Sequence, residues 1–264
     1  MFNQLSGATR LFPIIGDPVT YAESPVRLTR TFEERRHHGV CIPMQVPAGS
    51  LDVVMAGLAA APNVDGILVT MPHKHTAFAH CTTSSERARL LGVVSVIRRN
   101  PDGTWHGDML DGLAFVKAQK DHGATIAGAR ALLVGAGGAG SAIAIALLEA
   151  GVRDLVIYDA DESRVARFLD LLAGLGDGRV AAGPPDPAGC ELVFNATPMG
   201  MEDGDPLPVD AALLSSSMFV GDVIAGHGVT PFIAAAQAAG GQTAHGGHMV
   251  EAVQDLMADF MLGN

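Results

Sequence analysis

The sequence predicts an α/β fold in two parts, and three observations carry that prediction. Short apolar runs alternate with helical patterns along most of the 264 residues, as they do when strands are separated by helices. A loop of small residues, Gly135-Ala136-Gly137-Gly138-Ala139-Gly140, stands between a buried-strand pattern and a long apolar helix. The chain also changes character near Asp111-Gly112. Hydrophobic residues make up 48% and charged residues 17%, enough to build a sizeable core.

The elements follow in order. Leu11 to Ile15 reads as a strand ending at Gly16-Asp17-Pro18. Ser24-Pro25 opens a helix through Arg36, with Ser24 as N-cap and Pro25 first in the helix. Val40 to Val46 reads as a strand, Ser50 to Ala60 as a helix, Gly66 to Thr70 as a buried strand, and residues 84 to 91 as a helix. Val93 to Arg98 and Thr104 to Gly107 flank the hairpin turn Asn100-Pro101-Asp102-Gly103. After a helix through about Asp121, the strand Ala129 to Val134 leads into the glycine loop and a helix to Ala150. Asp154 to Tyr158 is a strand ending on Asp159, and a charged helix follows over 162 to 174. Glu191 to Asn195 and Met218 to Val223 are strands; Thr230 to Ala239 and His248 to Leu262 are helices.

A net charge of −11 argues against nucleic acid and anionic membrane as partners. Cys41, Cys81 and Cys190 lie far apart, with no CxxC or Cys/His cluster to suggest a disulfide framework or a metal site. His73, His75 and the His245/His248 pair read as structural or solvated histidines. No apolar stretch approaches ~18 uninterrupted residues, and the first residues lack a leader pattern. The expectation is a cytoplasmic protein, monomer or homodimer, acting on a small molecule.

Strand, glycine loop, helix, strand and then an acid is the arrangement of a Rossmann-type, doubly wound dinucleotide-binding domain. Gly135 lets the chain turn sharply, Gly137 lets the backbone approach a pyrophosphate, and Gly140 permits close helix–strand packing. The helix N-terminus offers N–H groups and a positive partial charge to the phosphates. Asp159, about 24 residues after Gly135, can accept hydrogen bonds from ribose hydroxyls and would repel a 2′-phosphate. NAD is therefore expected over NADP, with Arg164 the nearest cation. Asp159 can alternatively cap the helix that follows it.

The stretch Ile67-Leu68-Val69-Thr70-Met71-Pro72-His73-Lys74 places a lysine just beyond a buried strand. By itself this lysine reads either as a solvated loop residue or as an acid/base group at a strand tip.

An ordered series of short segments resembles the shikimate/quinate dehydrogenase family from about residue 11 to residue 250. It comprises Gly16-Asp17-Pro18 with Ser24-Pro25, Val69 to Lys74, Gly92 to Val96, and Gly107-Asp108-Met109-Leu110-Asp111-Gly112. It continues through Val134 to Gly140, Asn195 to Met201, Asp222-Val223, Thr230-Pro231-Phe232 and Gly247-His248-Met249. The resemblance implies a substrate domain over 1–111, completed by about 240–264, and an NAD(P)-binding domain over 112–239, with the active site in the cleft between them. It implies reversible hydride transfer between a secondary ring alcohol and NAD(P)+, with Lys74 and Asp111 as the catalytic pair. A lysine can take the hydroxyl proton only if its pKa falls toward neutrality or a carboxylate shares the work. Asn195, Thr197, Met201 and Gly221 resemble segments lining the nicotinamide side, although Met201 also suits core packing and Asp111 a helix cap.

The departures bear on substrate. The family's two serines before proline become Ala22-Glu23-Ser24-Pro25. The asparagine before V-T becomes Leu68, G-A-V-N-T becomes Gly92-Val93-Val94-Ser95-Val96, and the N-T of N-T-D-G becomes Met109-Leu110. The tyrosine after D-V-V becomes Ala225 and a C-terminal glutamine becomes Val253. Each lost hydrogen bond to a buried hydroxyl costs about 1–3 kcal/mol, so the expected substrate is less hydroxylated than shikimate or quinate, held by Ser24, Thr70 and Ser95. Other expectations stay open: a non-catalytic NAD(H)-responsive binding protein, or a different dehydrogenase on this scaffold.

Overall fold

The computed structural model describes residues 5–20, 22–173, 179–202 and 204–263. The chain forms two compact units, Met1–Leu110 with Gln254–Asn264, and Asp111–Val253.

The first unit holds strands β1 (Arg10–Gly16), β2 (Gly39–Gln45), β3 (Gly66–Val69), β4 (Thr83–Ser84), β5 (Val96–Arg99) and β6 (Trp105–Asp108). Among the described residues they form one sheet in the order β2-β1-β3-β5-β6-β4. The three N-terminal strands run parallel, and β5 and β6 form an antiparallel hairpin. Its turn closes through Asn100 N–H to Thr104 O, with Gly103 at φ +86° and Asp102 accepting from the Thr104 N–H. Helices α1 (Ser24–Glu34), α2 (Leu51–Ala60), α3 (Lys74–Phe78) and α4 (Glu86–Leu91) link the strands. Phe12, Ile15, Leu28, Phe32, Ile67 and Ile97 are wholly or almost wholly buried.

Ser24 does not cap α1. Glu23 occupies the cap position with helical backbone angles, Ser24 is the first helical residue, and no side chain caps the end. A residue already in the helical region at 23 leaves Ser24 without the extended conformation an N-cap needs.

The second unit is a single parallel sheet among the described residues. Its strands are β7 (Arg130–Val134), β8 (Asp154–Tyr158), β9 (Val180–Ala182), β10 (Leu192–Asn195), β11 (Phe219–Asp222) and β12 (Gln242–Ala244). They lie in the order β12-β11-β10-β7-β8-β9, which is the 3-2-1-4-5-6 order of a doubly wound nucleotide-binding sheet read from its other edge. The chain reverses direction across the sheet between β7 and β10, where ligands bind in such folds. Helices α5 (Asp111–Asp121), α6 (Gly138–Glu149), α7 (Glu162–Ala173), α8 (Pro231–Ala238) and α9 (Gly246–Leu262) complete the described helices. Residue 174, the expected end of α7, lies outside the described residues.

The short strands β4, β9 and β12 and the one-turn helix α3 are absent from the sequence-based expectation, being too short to show a periodicity. From Gln254 on, α9 belongs to the first unit. Gly66 explains how it lies on that sheet: a methyl group there would stand 2.2 Å from Met261 Sδ. Arg35 reaches Asp255 and Asp259, and Arg98 donates to Phe260 O with its guanidinium over the Phe260 ring.

Candidate active site

The first group of candidate residues lies at the carboxyl ends of the parallel strands in the first unit. β3 ends at Val69, and the Thr70 N–H donates to Ile15 O at 2.9 Å. A methyl on Gly16 would stand 2.3 Å from the Thr70 side chain, so the tips of β1 and β3 touch. The Met71–Pro72 peptide is cis. His73 is 1% exposed, and its Nε2 pairs with Val46 O at 2.6 Å. Lys74 comes next and opens α3, with its carbonyl accepting from the Val94 N–H at 2.9 Å. The lysine is thus pinned on both sides of its own backbone.

Ser95 follows on the neighbouring strand. Its carbonyl accepts from the Val69 N–H, its N–H donates to Asp108 O, and its Oγ accepts from the Leu110 N–H at 2.8 Å. Thr70, Lys74 and Ser95 are therefore joined through one backbone network. Ser24 opens α1, half-buried; among the described residues no hydrogen bond links it to that network.

A second device, which the sequence pattern did not reveal, holds the chain just before Asp111. Asp108 is buried and accepts from Ser85 Oγ, from the Arg87 guanidinium at 2.5 Å and from the Met109 N–H at 2.7 Å. Arg87 Nε also donates to Met109 O at 3.2 Å. Arg87, Asp108 and Ser95 together fix residues 108 to 110. No motif or periodicity in the sequence links Arg87 with Asp108, because the pair is made only when α4 and β6 come together.

The second group lies in the nucleotide-fold unit. Gly135 follows β7 at φ +110°, in the left-handed region that favours glycine. A methyl there would stand 2.8 Å from the Ala196 carbonyl. On Gly140 it would stand 1.9 Å from Gly135 O, whereas Gly137 and Gly138 face open space. Ala136 and Ala139 complete the loop, Ala136 buried and Ala139 exposed. The residues fit a pyrophosphate: two glycines leave room, and α6 begins without a side-chain cap.

Asp159 binds the loop itself. One of its oxygens accepts from the Ala136 N–H at 2.8 Å, and the other accepts from the Asp161 N–H at 2.9 Å. Arg164 lies 3.8 Å away. The cap of α7 comes from Asp161, which accepts from the Ser163 N–H at 3.0 Å. A cavity of about 550 Å³ lined by Asp159, Ala160, Gly183 and Pro184 opens beside it.

Asn195 and Thr197 are hydrogen-bonded within the protein. Asn195 is fully buried, donates to Asp222 and to Met199 O, and accepts from the Thr197 N–H and hydroxyl. Asp222 also accepts from the Ile224 N–H and from Thr230 Oγ1, which caps α8. Burial pushes the Asp222 carboxyl above its usual range against these hydrogen bonds. This knot ties the ends of β10 and β11 to α8. Gly221 is small because Gln119 Oε1 and the Phe194 ring occupy the space beside it, and Met201 is partly exposed.

Asp111 opens α5, and the next residue, Gly112, lies against α6. A methyl on Gly112 would stand 2.0 Å from Ala142 O. Two helix backbones can approach that closely only at a glycine. Asp111 is therefore carried on a helix fixed one turn from the glycine loop. Among the described residues no group of three or more His, Cys, Asp and Glu side chains is placed to hold a metal ion, and no helix is long and apolar enough to cross a membrane.

An α/β substrate domain and a Rossmann-type domain, with a lysine at one set of strand ends and a glycine loop at the other, define a dinucleotide-dependent enzyme scaffold. The family model for the shikimate dehydrogenase substrate binding domain matches residues 14–97. The chain is 35% identical to the shikimate dehydrogenase (NADP(+)) of Rubrobacter xylanophilus over 226 residues, 84% of this chain and 79% of the relative. It is 36% identical to that of Acidiphilium cryptum over 239 residues, 89% and 84% of the two chains. Among solved structures, the shikimate 5-dehydrogenase of Thermus thermophilus with NADP(H) and shikimate matches at TM-score 0.83 and 28% identity, over 97% and 94% of the two chains. The ligand-free 5-ketofructose reductase of Gluconobacter sp. strain CHM43 matches at TM-score 0.88 and 25% identity over the same shares. The chain belongs to the shikimate dehydrogenase family, a family of NAD(P)-dependent oxidoreductases.

Proposed function

We propose that this chain interconverts a secondary ring alcohol and its ketone by hydride transfer, with Lys74 and Asp111 as the acid–base pair. The observation that carries the reading is the double anchoring of Lys74, through His73 to Val46 on one side and to Val94 on the other. Proton transfer needs an amine held to a fraction of an ångström, and this lysine has a fixed backbone at a strand tip. NAD(P)+, when bound, supplies the hydride acceptor. Lys74 takes the hydroxyl proton as the alcohol is oxidised and returns it to the developing alkoxide in reduction. Asp111 orients the ammonium.

The substrate is less hydroxylated than shikimate or quinate. Leu68, Val96, Met109 and Leu110, which stand where the family carries polar residues, are each at most 4% exposed. They offer no hydrogen bonds to a polyol. Ser24 and Thr70 remain to hold a carboxylate or one hydroxyl. Ser95 spends a lone pair on Leu110 and keeps its O–H to donate. The similarity to 5-ketofructose reductase supports a scaffold that accepts ketones other than the shikimate type. The test is NAD(P)+ reduction across shikimate, quinate and simpler cyclic hydroxy acids. Turnover confined to the simpler alcohols is expected; shikimate turnover at an ordinary KM would overturn the substrate reading.

NAD is the preferred cofactor in this reading, because the Asp159 carboxylate stands at the tip of β8 where a 2′-phosphate would approach. Arg164, 3.8 Å from that carboxylate, and the relatives named for NADP(+) favour the second reading. Ratios of kcat/KM for the two cofactors, in wild type and in Arg164→Ala, decide between them. An NADP preference that Arg164→Ala abolishes would overturn the NAD assignment.

A further inference from the structure

The first unit carries a second polar cavity, of about 710 Å³, lined by Arg35, Arg36, Arg98, Arg99, Asp65 and the C-terminal end of α9 among others. Asp65 precedes β3 and Arg99 ends β5, so this cavity is at the opposite end of the sheet from Lys74. The whole chain has only 17 lysines and arginines against 28 acids, and four of the 17 meet here.

The arginines differ in what they already hold. Arg99 gives its donors to the carbonyls of Leu58, Ala59, Ala61, Val64 and Gly103. Arg35 pairs with Asp255 and Asp259, and Asp65 pairs with Arg10. Among the described residues Arg98 makes one long hydrogen bond, 3.3 Å to Phe260 O, and is steadied by stacking over the Phe260 ring. Arg36 is exposed, and among the described residues its guanidinium has no partner. The two guanidiniums with donors to spare thus share one cavity, and among the described residues no carboxylate pairs with either, Asp65 on the same cavity being taken by Arg10.

The backbone at Arg36 adds an independent observation. It is the one described non-glycine residue at positive φ, +57°. It sits just past α1, where the His37 N–H returns to Phe32 O and the Arg36 N–H to Glu33 O. Helix ends of this geometry favour glycine, so an arginine here is held against its backbone preference, as happens where a side chain serves a ligand.

We propose that this cavity binds a small polyanion, bearing phosphate or carboxylate groups, through Arg36 and Arg98. Planar guanidiniums pair with either group through parallel N–H···O bonds. The site is separate from the hydride-transfer chemistry and does not rest on it.

The test uses the full chain and Arg36→Gly. Glycine relieves the backbone at position 36 and removes the guanidinium, so the variant is expected to melt at or above the wild-type temperature in buffer without polyanion. Pyrophosphate and citrate are then titrated at low, matched ionic strength while Tm is read, with NADH affinity as a check that the second unit is intact. The expected result is a rise in wild-type Tm that is clearly smaller in Arg36→Gly and smaller again with Arg98→Gln added. Because the glycine loop can itself bind pyrophosphate, the difference between the proteins is the readout. A difference with pyrophosphate alone makes the ligand a phosphate ester; a difference with both makes it a polyanion of either kind. No rise in wild type with either probe, or an equal rise in both proteins, would overturn the proposal.

Discussion

The loop after β7 is shaped by what its residues lack, and the chain around Lys74 by what its neighbours supply. At Gly135 and Gly140 a single methyl would meet backbone at 2.8 and 1.9 Å. Steric exclusion fixes that loop: Gly140 is held by Gly135, five residues away, and Gly135 by its own φ of +110° and by the Ala196 carbonyl beyond β10. Around Lys74 the side chains are ordinary in size. Their positions come from long-range partners: His73 on Val46, the Lys74 carbonyl on the Val94 N–H, Ser95 on Leu110, and Arg87 on Asp108. A local steric rule writes itself into a motif; a network of distant hydrogen bonds does not.

The strongest way to break the comparison is at the lysine. Lys74→Ala is expected to lower kcat by roughly 10²–10⁴ while leaving dinucleotide affinity unchanged; steady-state kinetics and NADH fluorescence titration read the two separately. Near-normal turnover would return Lys74 to the solvated-loop reading.

Next comes the long-range clamp. Arg87→Ala leaves the buried Asp108 carboxylate without its cation, at a cost of about 3–5 kcal/mol. Denaturant unfolding should show that loss, and Arg87→Lys should recover part of it. In the folded Arg87→Lys protein kcat should fall more than KM rises, because the clamp sets the chain leading into Asp111.

The loop offers a matched pair. Gly140→Ala drives a methyl into Gly135 O and should destabilise by roughly 2–3 kcal/mol. Gly137→Ala enters open space, so its unfolding should match wild type while dinucleotide affinity falls. Equal stability losses in the two would mean the glycines serve the fold alone.

The smallest effect concerns pH. The His248 ring stacks between His122 and His245, 3.7 and 3.8 Å from their centroids, and its Nδ1 accepts from the His245 N–H. Burial, with His245 and His122, lowers its pKa, while Glu251 opposes the shift. A lowered histidine pKa means the unfolded chain binds the proton more readily. The contribution to stability is therefore present above the ordinary value near 6.5 and is lost as pH falls through the folded one. His248→Phe keeps a flat ring without a charge. It should make the fall of Tm below pH 6.5 shallower, by less than about 1 kcal/mol because solvent screens a half-buried ring.

Much of the second unit was legible. The strand β8 was expected at Asp154–Tyr158 and is found there, and the glycine loop stands between β7 and α6 as its pattern requires. The roles inside it were less legible. Asn195, Thr197 and Gly221 suggested the cofactor side. In the structure Asn195 and Thr197 also join a knot with Asp222 and Thr230, and Gly221 makes room for Gln119, which leaves their proposed place on the cofactor side as it stood. A motif records that a residue type is required, not which neighbour requires it.

The sequence by itself determined the alternation of strands and helices, the glycine loop and the acid that follows it, and the family to which the chain belongs. Those depend on periodicity, on glycine sterics and on residue order, all local properties of a chain. Only the tertiary structure decided that Ser24 begins a helix instead of capping it, that Asp159 binds its own loop, and that Arg87 and Asp108 hold the segment before Asp111. It also gathered Arg36 and Arg98, 62 positions apart in the chain, into one cavity. Apart from Ser24, which the backbone of Glu23 settles, each of these rests on residues distant in sequence that only folding brings together.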